Sequence, residues 1–498
     1  MKRAPSFTLM TPAETAMVMP MLARLSRSLP VFILLLLSFL MLLPRSALAE
    51  HTTLYVDAAA TENGDGSRHR PFWRITDAVV RARVLRQDDS RQEERIAIHV
   101  RPGAYIGSYD PSHLASNPRL ELLPIIVNVP DLSLEGGTEL DIDTARLPTG
   151  AYPPESETLL TTDLPLTRGQ VLLLIATTDD GMAGNGVSVS GFVMDAQGQD
   201  LPSIPGFDIY ADRVSEFSIH NNLLRHAVSG AGTRLASGDV EANFCTSSNR
   251  GPGIFISGGS VTHPASVNLR RNRATQNDLG GAGIFAVANF VPLDLGANTL
   301  RLETLPMSYD INNPEDQQNI PDTLEATVES NDLSDNRAGP DGGSGYGLAC
   351  RFYPPLRYTT ADATQAMRGT LNVAVRGNRL SRNAHYGLIV DPGSSDRSTP
   401  RQLTATFQGA FEGNALIDNG RNTAMFAFAN SLGLRASFGY MQHSTFDVAA
   451  LDGELEGFDY DHPLEDPFDG SPVVGNVLLV NGQVQPNGIQ ITPPHWEP

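Results

Sequence analysis

The sequence predicts an all-β fold, a parallel β-helix whose successive turns stack on one another, with an α-helix capping its N-terminal end. The first observation is a repeat of asparagines. The spacing Asn-x4-Asn occurs at Asn272/Asn277, Asn331/Asn336, Asn378/Asn383 and Asn414/Asn419, with an imperfect copy at Asn243/Ser248. Self-similarity at short period is typical of solenoids, in which each repeat buries its apolar face against its neighbours.

The second observation is a short strand after each asparagine pair, opened by a small residue. These openings are Gly253-Ile254, Gly283-Ile284, Gly347-Leu348, Gly387-Leu388 and Ala424-Met425. Alternating apolar residues bounded by Gly and Asn indicate strands, which would stack at about 4.8 Å between turns. Asparagine suits the corners because it tolerates left-handed backbone and its amide can bond its neighbours, so we expect a structural asparagine ladder. A β-sandwich also has short strands, but not this repeated register.

The third observation is an amphipathic segment before the repeats. Ile75, Val79, Ala82 and Leu85 lie near helical spacing, which predicts a helix over Ile75–Arg86. A solenoid exposes its core at each end and needs a cap there. We therefore expect this helix to cover the N-terminal end of about ten turns, at the usual 20–45 residues per repeat.

The chain divides into four predicted parts. Residues 1–49 form an export signal, because residues 31–43 are an apolar run too short to span a bilayer comfortably, followed by Ala-x-Ala at residues 47–49. A short membrane anchor is the alternative. Residues 50–110 hold the cap and first strands, and 111–436 the β-helix with loop insertions at 290–327, 353–367 and 394–400. Residues 437–498 form an acidic C-terminal extension with closing strands.

The charge of the chain limits its partners. The 498 residues carry a formal charge of −20, and residues 1–49 hold five basic side chains against one acidic, so the remainder carries −24. Such acidity argues against nucleic acid or an anionic membrane surface as partner. Lys2 is the only lysine, so after signal cleavage no lysine chemistry remains. We also expect no integral membrane segment in the processed chain.

The start of the processed chain adds a resemblance. It contains Tyr55-Val56-Asp57, Gly64-Asp65-Gly66, Pro71-Phe72 and Pro102-Gly103-Ala104-Tyr105. With the asparagine repeats, these pieces resemble secreted right-handed parallel β-helix proteins of the pectin-lyase-like superfamily, in particular an N-terminal domain of uncharacterised function common in bacterial members.

The resemblance implies a right-handed solenoid, but this fold carries lyases, hydrolases, epimerases and non-catalytic binders. The expected function is therefore an exported protein, periplasmic, secreted or at the cell surface, that binds or processes a polysaccharide or cell-surface glycan. If it is an enzyme, polysaccharide lyase and glycoside hydrolase are the candidate reactions. The alternative is a non-catalytic structural or surface-binding solenoid.

Aromatic side chains supply the candidate ligand-binding residues. If Ile254 and Ile284 point inward, Phe255 and Phe285 point outward on neighbouring turns, where an exposed strip could stack on sugar rings. A covering loop is the alternative. Tyr386, just before the Leu388 strand, is the third candidate.

Arg351, His385 and Asp391 are the candidate catalytic residues. Arg351 and Asp391 fall at equivalent outward positions on successive turns, so an arginine base positioned by an acid could serve a lyase. The alternative is a salt bridge of small worth. His385 precedes the same strand as Asp391 and is a candidate general acid or base, with a solvated corner histidine as the alternative.

Metal and thiol chemistry are not expected. Calcium sites need several carboxylates on adjacent turns, and the strand stack offers no such cluster, so we predict no metal and no cofactor. Calcium binding by the acidic stretch 451–470 stays open. An acidic protein also repels polyuronates, which favours neutral or modified glycans. Cys245 and Cys350 sit at inward positions too far apart to pair, which predicts two buried free thiols.

Overall fold

A computed structural model describes most of the repeat region in detail. The described residues are 51–88, 95–140, 156–166, 169–178, 182–197, 206–248, 251–260, 263–286, 290–294, 300–304, 323–339, 345–351, 367–391, 403–420, 432–436, 445–451, 455–459 and 477–484. The predicted export signal at residues 1–49 lies outside them, as do the insertion 394–400 and most of the other two insertions.

Two helices and 34 strands make up the described secondary structure. The helices are α1 Ile75–Arg86 and α2 Pro111–Ser116. The strands, in chain order, are β1 His51–Val56, β2 Arg95–Val100, β3 Gly103–Ser108, β4 Glu121–Leu122, β5 Ile125–Val127, β6 Leu132–Gly136, β7 Thr158–Thr162, β8 Val171–Ala176, β9 Ser188–Ser190, β10 Val193–Asp195, β11 Phe207–Asp212, β12 Phe217–His220, β13 Leu223–Arg225, β14 Ser229–Arg234, β15 Gly238–Glu241, β16 Phe244–Thr246, β17 Pro252–Ser257, β18 Ala265–Arg270, β19 Arg273–Thr275, β20 Gly280–Phe285, β21 Phe290–Asp294, β22 Leu300–Thr304, β23 Thr323–Glu329, β24 Tyr346–Arg351, β25 Met367–Arg376, β26 Arg379–Ser381, β27 Leu388–Asp391, β28 Leu403–Glu412, β29 Ala415–Ile417, β30 Leu432–Ala436, β31 Thr445–Leu451, β32 Leu455–Asp459, β33 Val477–Val480 and β34 Gln483–Val484.

The strands form three long sheets that the chain visits in rotation. Sheet 1 has the order β1-β2-β6-β9-β12-β15-β18-β23-β25-β28-β31-β33-β34, sheet 2 the order β4-β3-β7-β10-β13-β16-β19, and sheet 3 the order β5-β8-β11-β14-β17-β20-β24-β27-β30-β32. The pair β26-β29 continues sheet 2 through bridges from Arg273 to Asp332 and from Asp332 to Arg379. From β2 onward, neighbouring strands within the sheets pair in parallel, except for the last pair of sheet 1, β33 with β34. The fold is the predicted right-handed parallel β-helix.

Alternation of side chains places the core between the three sheets. Strand β18 shows it plainly, since Ala265, Val267 and Leu269 are buried while Ser266 and Arg270 are exposed. Ile254, Ile284, Leu348 and Leu388 belong to the internal core, as predicted, and so do both cysteines. Cys245 and Cys350 are free thiols, which confirms that prediction, and burial raises the pKa of the Cys350 thiol to about 12.

Two internal asparagine ladders confirm the structural role predicted for the repeat. The first joins sheets 1 and 2 and runs through Asn222, Asn243, Asn272, Asn331, Asn378 and Asn414, each amide donating from Nδ2 to the next Oδ1 at 2.9–3.1 Å. The second joins sheets 2 and 3 through Asn277, Asn336, Asn383 and Asn419. Each asparagine also donates to a backbone carbonyl, as Asn331 does to that of Leu269 at 2.9 Å.

The left-handed backbone does not fall on the asparagines themselves, which corrects one expectation. It falls on the residue before each of them, for example Arg271 at φ 52°, Ser330 at φ 57° and Arg382 at φ 55°. The preceding residue therefore turns the corner. The asparagine side chain is left to point inward and bond the neighbouring turn.

Helix α1 caps the solenoid over the predicted residues. Ile75, Val79, Ala82 and Leu85 are buried against the first turn. Glu121 of β4 lies under the helix N-terminus and accepts hydrogen bonds from the Thr76 backbone N–H at 2.9 Å and hydroxyl at 2.6 Å. Burial raises the pKa of Glu121 to about 7, although these bonds act in the opposite direction.

Two domain boundaries differ from those predicted. Strand β23 begins at Thr323, within the predicted insertion 290–327, because Leu324, Ala326 and Val328 follow the inward alternation. The β-helix also continues beyond residue 436, since β31 pairs in parallel with β28 and β32 with β30. Insertion 290–327 contains an antiparallel hairpin, β21 with β22. Among the described residues, no helix is long and apolar enough to cross a membrane.

Candidate functional site

The predicted catalytic residues Arg351 and Asp391 lie on neighbouring strands of sheet 3. They are register partners on β24 and β27, as the sequence predicts. The Arg351 side chain is 9% exposed, and its guanidinium carbon lies 4.7 Å above the centre of the Tyr346 ring. The position of the Asp391 side chain lies outside the described part of the structure. The Arg351–Asp391 pair therefore stays a prediction.

His385 and Asp391 lie toward opposite ends of β27, and the predicted three-residue site stays a prediction. At a strand rise of about 3.3 Å per residue, Asp391 lies about 10 Å beyond Leu388, the first residue of β27. His385 comes three residues before Leu388, at the other end of the strand. Acid–base partners must lie within hydrogen-bond reach, which this backbone separation does not favour for His385 and Asp391. Burial lowers the pKa of the half-buried His385, which favours its neutral form.

The aromatic residues point outward as predicted, but they are not exposed. Phe255 and Phe285 are 6% and 5% exposed, and their rings stack with centres 4.6 Å apart. They belong to an outer apolar cluster with Phe207 and Tyr210. The prediction of an exposed aromatic strip is therefore wrong, because these rings pack on one another and are buried. Tyr386, also predicted to bind ligand, is 7% exposed and packs with Tyr346.

The register of these strands also differs from the predicted one. Phe255 pairs with Gly283, and Phe285 pairs with Ser257 and Arg351, so the two phenylalanines are offset by two residues along the strands. Gly283 allows this arrangement, because a Cβ atom there would lie 2.3 Å from the Phe285 ring. Both glycines before Ile284, Gly281 and Gly283, fit the small-residue pattern. The sequence alone could not choose between them.

Sequence reasoning missed a groove on the outer face of sheet 1. It has a volume of about 340 Å³, near the lower end for ligand pockets, and crosses β18, β23, β25 and β28. Its lining residues are Ser266, Glu325, Ala326, Thr327, Asn372, Val373, Ala374, Gln408, Gly409 and Ala410.

Strand register arranges the groove's side chains in columns. Ser266, Glu325, Asn372 and Gln408 pair in sequence across four strands and form what we call the polar column. Ser266, Glu325 and Gln408 are exposed and Asn372 is half-buried. Two residues after the polar column on each strand lie Thr327, Ala374 and Ala410, which pair in register. Because their side chains are short, they leave a depression beside the polar column.

A column of alternating charge borders the groove. Glu241, Arg270, Glu329, Arg376 and Glu412 pair in register on five successive strands, and we call them the charge column. Arg270 Nε lies 3.8 Å from Glu329 Oε2, and Arg376 Nε lies 3.0 Å from Glu412 Oε2. These exposed pairs contribute little stability individually. They leave the border close to electrically neutral.

On the other side of the groove, Thr323, Thr370 and Thr406 pair in register. The sequence does contain the signal for all these columns. The threonines lie eight residues before the ladder asparagines Asn331, Asn378 and Asn414, and the polar column lies six residues before them. The number of residues between each position and the ladder asparagine determines that the side chain lies on the outer face of sheet 1, even though the residue types vary.

A buried ion pair on sheet 3 was also missed. Arg234 and Asp212 are register partners, 1% and 0% exposed, and Arg234 Nε lies 2.5 Å from Asp212 Oδ1. Removing one member of such a pair leaves an uncompensated buried charge.

No three His, Cys, Asp or Glu side chains lie close enough to hold a metal among the described residues. The acidic stretch 451–470 lies mostly outside them, so calcium binding there is untested.

Comparison with known proteins does not assign the chain to a family. No family model matches the chain, and no curated protein matches it either. Three similar solved structures are ORF18 of Geobacillus virus E2, the mannuronan C-5 epimerase AlgE6 A-module of Azotobacter vinelandii, and DFA-IIIase from Arthrobacter chlorophenolicus A6 in complex with GF2.

Their sequence identities to this chain are 10%, 13% and 13%, and their TM-scores are 0.34, 0.34 and 0.35. The matches cover 74%, 77% and 86% of this chain, and 60%, 85% and 99% of the respective structures. The chain thus spans less than two thirds of the Geobacillus virus protein. At this level of likeness, the activities named for these proteins say nothing about this chain.

Proposed function

We propose that this protein is an exported carbohydrate-binding β-helix of the pectin-lyase-like superfamily, and that it holds a glycan in the sheet 1 groove. The groove supports the proposal because it presents hydroxyl, amide and carboxylate groups at regular intervals on a rigid sheet. Sugar hydroxyls both donate and accept hydrogen bonds, and the Asn372 and Gln408 amides offer both functions as well. Rigid, preformed polar sites lose little entropy on binding.

The test is a glycan array with purified full-length protein, run with calcium and with chelator. We expect binding to at least one neutral or amine-bearing glycan. Asn372→Ala and Gln408→Ala should each weaken that binding about fivefold, the loss of roughly one hydrogen bond. The matched control is Asn117→Ala, an exposed asparagine far from the groove in the sequence. Binding that is unchanged in both groove variants would exclude the groove, and no binding to any glycan would overturn the carbohydrate function.

Glycan processing is the second candidate, and the register pairing of Arg351 with Asp391 favours it. In this reading, Arg351 acts as the base of a lyase and Asp391 positions it. Product analysis on every bound glycan separates the two functions. New unsaturated or reducing ends that disappear in Arg351→Gln support an enzyme. Intact glycan in all samples supports a binding protein.

A further inference from the structure

The shape of the groove fixes how a chain would lie in it. The groove crosses four strands, which spans about 14 Å along the solenoid axis at 4.8 Å per strand. Its lining covers three consecutive positions on each of three strands, which is only about 7 Å along the strands. A linear ligand therefore fits with its length along the axis.

The polar column then meets such a ligand one side chain at a time. Ser266, Glu325, Asn372 and Gln408 each project from a different strand, so the spacing of the side chains equals the spacing of the turns. A pyranose unit in an extended glycan has a comparable length. Successive sugar units would face a hydroxyl, a carboxylate and two amides.

Glu325 gives the groove its charge preference. It is the only charged residue of the lining and is exposed, and the ion pairs of the charge column do not include it. No described cation forms an ion pair with Glu325. The chain after residue 49 also carries a charge of −24. Both features repel an anionic sugar and attract a cationic one.

We infer that the groove binds a linear glycan that runs along the solenoid axis and places an unacetylated amino sugar against Glu325. This inference rests on the carbohydrate-binding function proposed above and specifies its ligand class. The carboxylate recognises the ammonium group, and the flanking hydroxyl and amides recognise the hydroxyl groups of neighbouring units.

The test uses titration calorimetry on the full-length protein at pH 6, where the amine is charged. The probes are a β-1,4-linked glucosamine tetramer, the same tetramer fully N-acetylated, and a galacturonate tetramer. We expect the glucosamine tetramer to bind about fivefold more tightly than the acetylated one, the upper value for an exposed ion pair, and the preference to shrink as salt rises. Glu325→Gln should remove the preference, while the acetylated tetramer should lose no more than about fivefold in affinity, the loss of roughly one hydrogen bond. Glu62→Gln, an exposed carboxylate outside the groove, should change neither.

The outcomes separate this inference from the broader function. Equal affinity for both tetramers, unaffected by Glu325→Gln, overturns the amino-sugar assignment while leaving carbohydrate binding intact. If the galacturonate tetramer binds most tightly, the amino-sugar assignment is overturned in the same way, and carbohydrate binding again stays intact. A dimer and a trimer of β-1,4-linked glucosamine test the orientation. Affinity that stops rising beyond the dimer overturns the axial orientation, since the four side chains of the polar column, about 4.8 Å apart, face four successive units. No binding of any probe here or on the array overturns the proposed function itself.

Discussion

Asp208 shows how a register position determines the chemistry of one residue. It lies between Phe207 and Ile209, whose partners in the next turn are Ser229 and Ala231, so its own neighbour there is Gly230. A Cβ atom at Gly230 would lie 2.9 Å from Leu224 and 3.3 Å from the Cys245 sulfur, so the position faces the core. Asp208 is fully buried.

The carboxyl oxygens of Asp208 accept no hydrogen bond of good geometry from described residues, although the backbone N–H groups of Ala196 and Arg225 lie nearby. Burial, and then the charge of Asp195, raise the pKa of Asp208 well above its ordinary value. The raised pKa favours the neutral acid form of Asp208 in the folded protein. Its stabilising contribution is complete below the ordinary carboxyl pKa and is lost as pH rises through the raised value.

We predict that Asp208→Asn flattens the pH dependence of stability. The amide has the same shape but no proton to lose, so the variant should gain melting temperature over the natural protein as pH increases from 4 to 8. Thermal unfolding at several pH values measures this. Glu62→Gln, at an exposed site, serves as control. Parallel curves for Asp208→Asn and the natural protein would contradict the raised pKa.

At the scale of the element, the asparagine ladders hold the corners between sheets. Asn331 accepts from the backbone N–H of Asn272 at 2.8 Å and donates to both the Leu269 carbonyl and Asn378. It is 3% exposed, so water cannot replace these bonds. Buried polar groups that lose their partners are destabilising.

We predict that Asn331→Ala lowers the free energy of unfolding by about 2–4 kcal/mol, since several buried groups lose partners at once. Asn268→Ala is the matched control. Asn268 is half-buried on the outer face and donates one bond to Asp239 at 2.8 Å, so about 1 kcal/mol or less is expected. Denaturant unfolding followed by circular dichroism gives both values. If both variants lose the same free energy of unfolding, the ladder bonds stabilise the fold no more than an ordinary hydrogen bond on the outer face.

Local patterns made the helix and the ladders predictable, and the rest depended on contacts between distant residues. Helix α1 and the asparagines follow from spacing within one repeat. The burial of Phe255 and Phe285 depends on Phe207 and Tyr210, which come from earlier turns. The offset of two residues between β17 and β20 depends on which glycine begins the pairing, and Gly281 and Gly283 look alike in sequence.

At the scale of the whole molecule, the charge column links successive turns along sheet 1. Its signs alternate from Glu241 to Glu412 without interruption. Opposite charges directly across neighbouring strands are mildly stabilising, and like charges are destabilising.

We predict that Glu329→Arg lowers stability by roughly 1 kcal/mol at low salt, because it places three arginines in a row. In 1 M salt the Debye length falls to about 3 Å, so most of that loss should disappear. Glu329→Gln, which removes the attraction without adding repulsion, should lose less. Denaturant midpoints of both variants at two salt concentrations give the comparison, and a loss independent of salt would indicate a packing effect instead.

The same alternation affects which mistakes the chain can make while it folds. Repeats in a solenoid resemble one another, and a strand can join the wrong partner by skipping a turn. Skipping one turn would place Arg270 beside Arg376, or Glu241 beside Glu329, so each misaligned pair brings two like charges together. The alternation thus discourages skipped turns during assembly, when repulsion between two strands can still redirect the chain before the core closes.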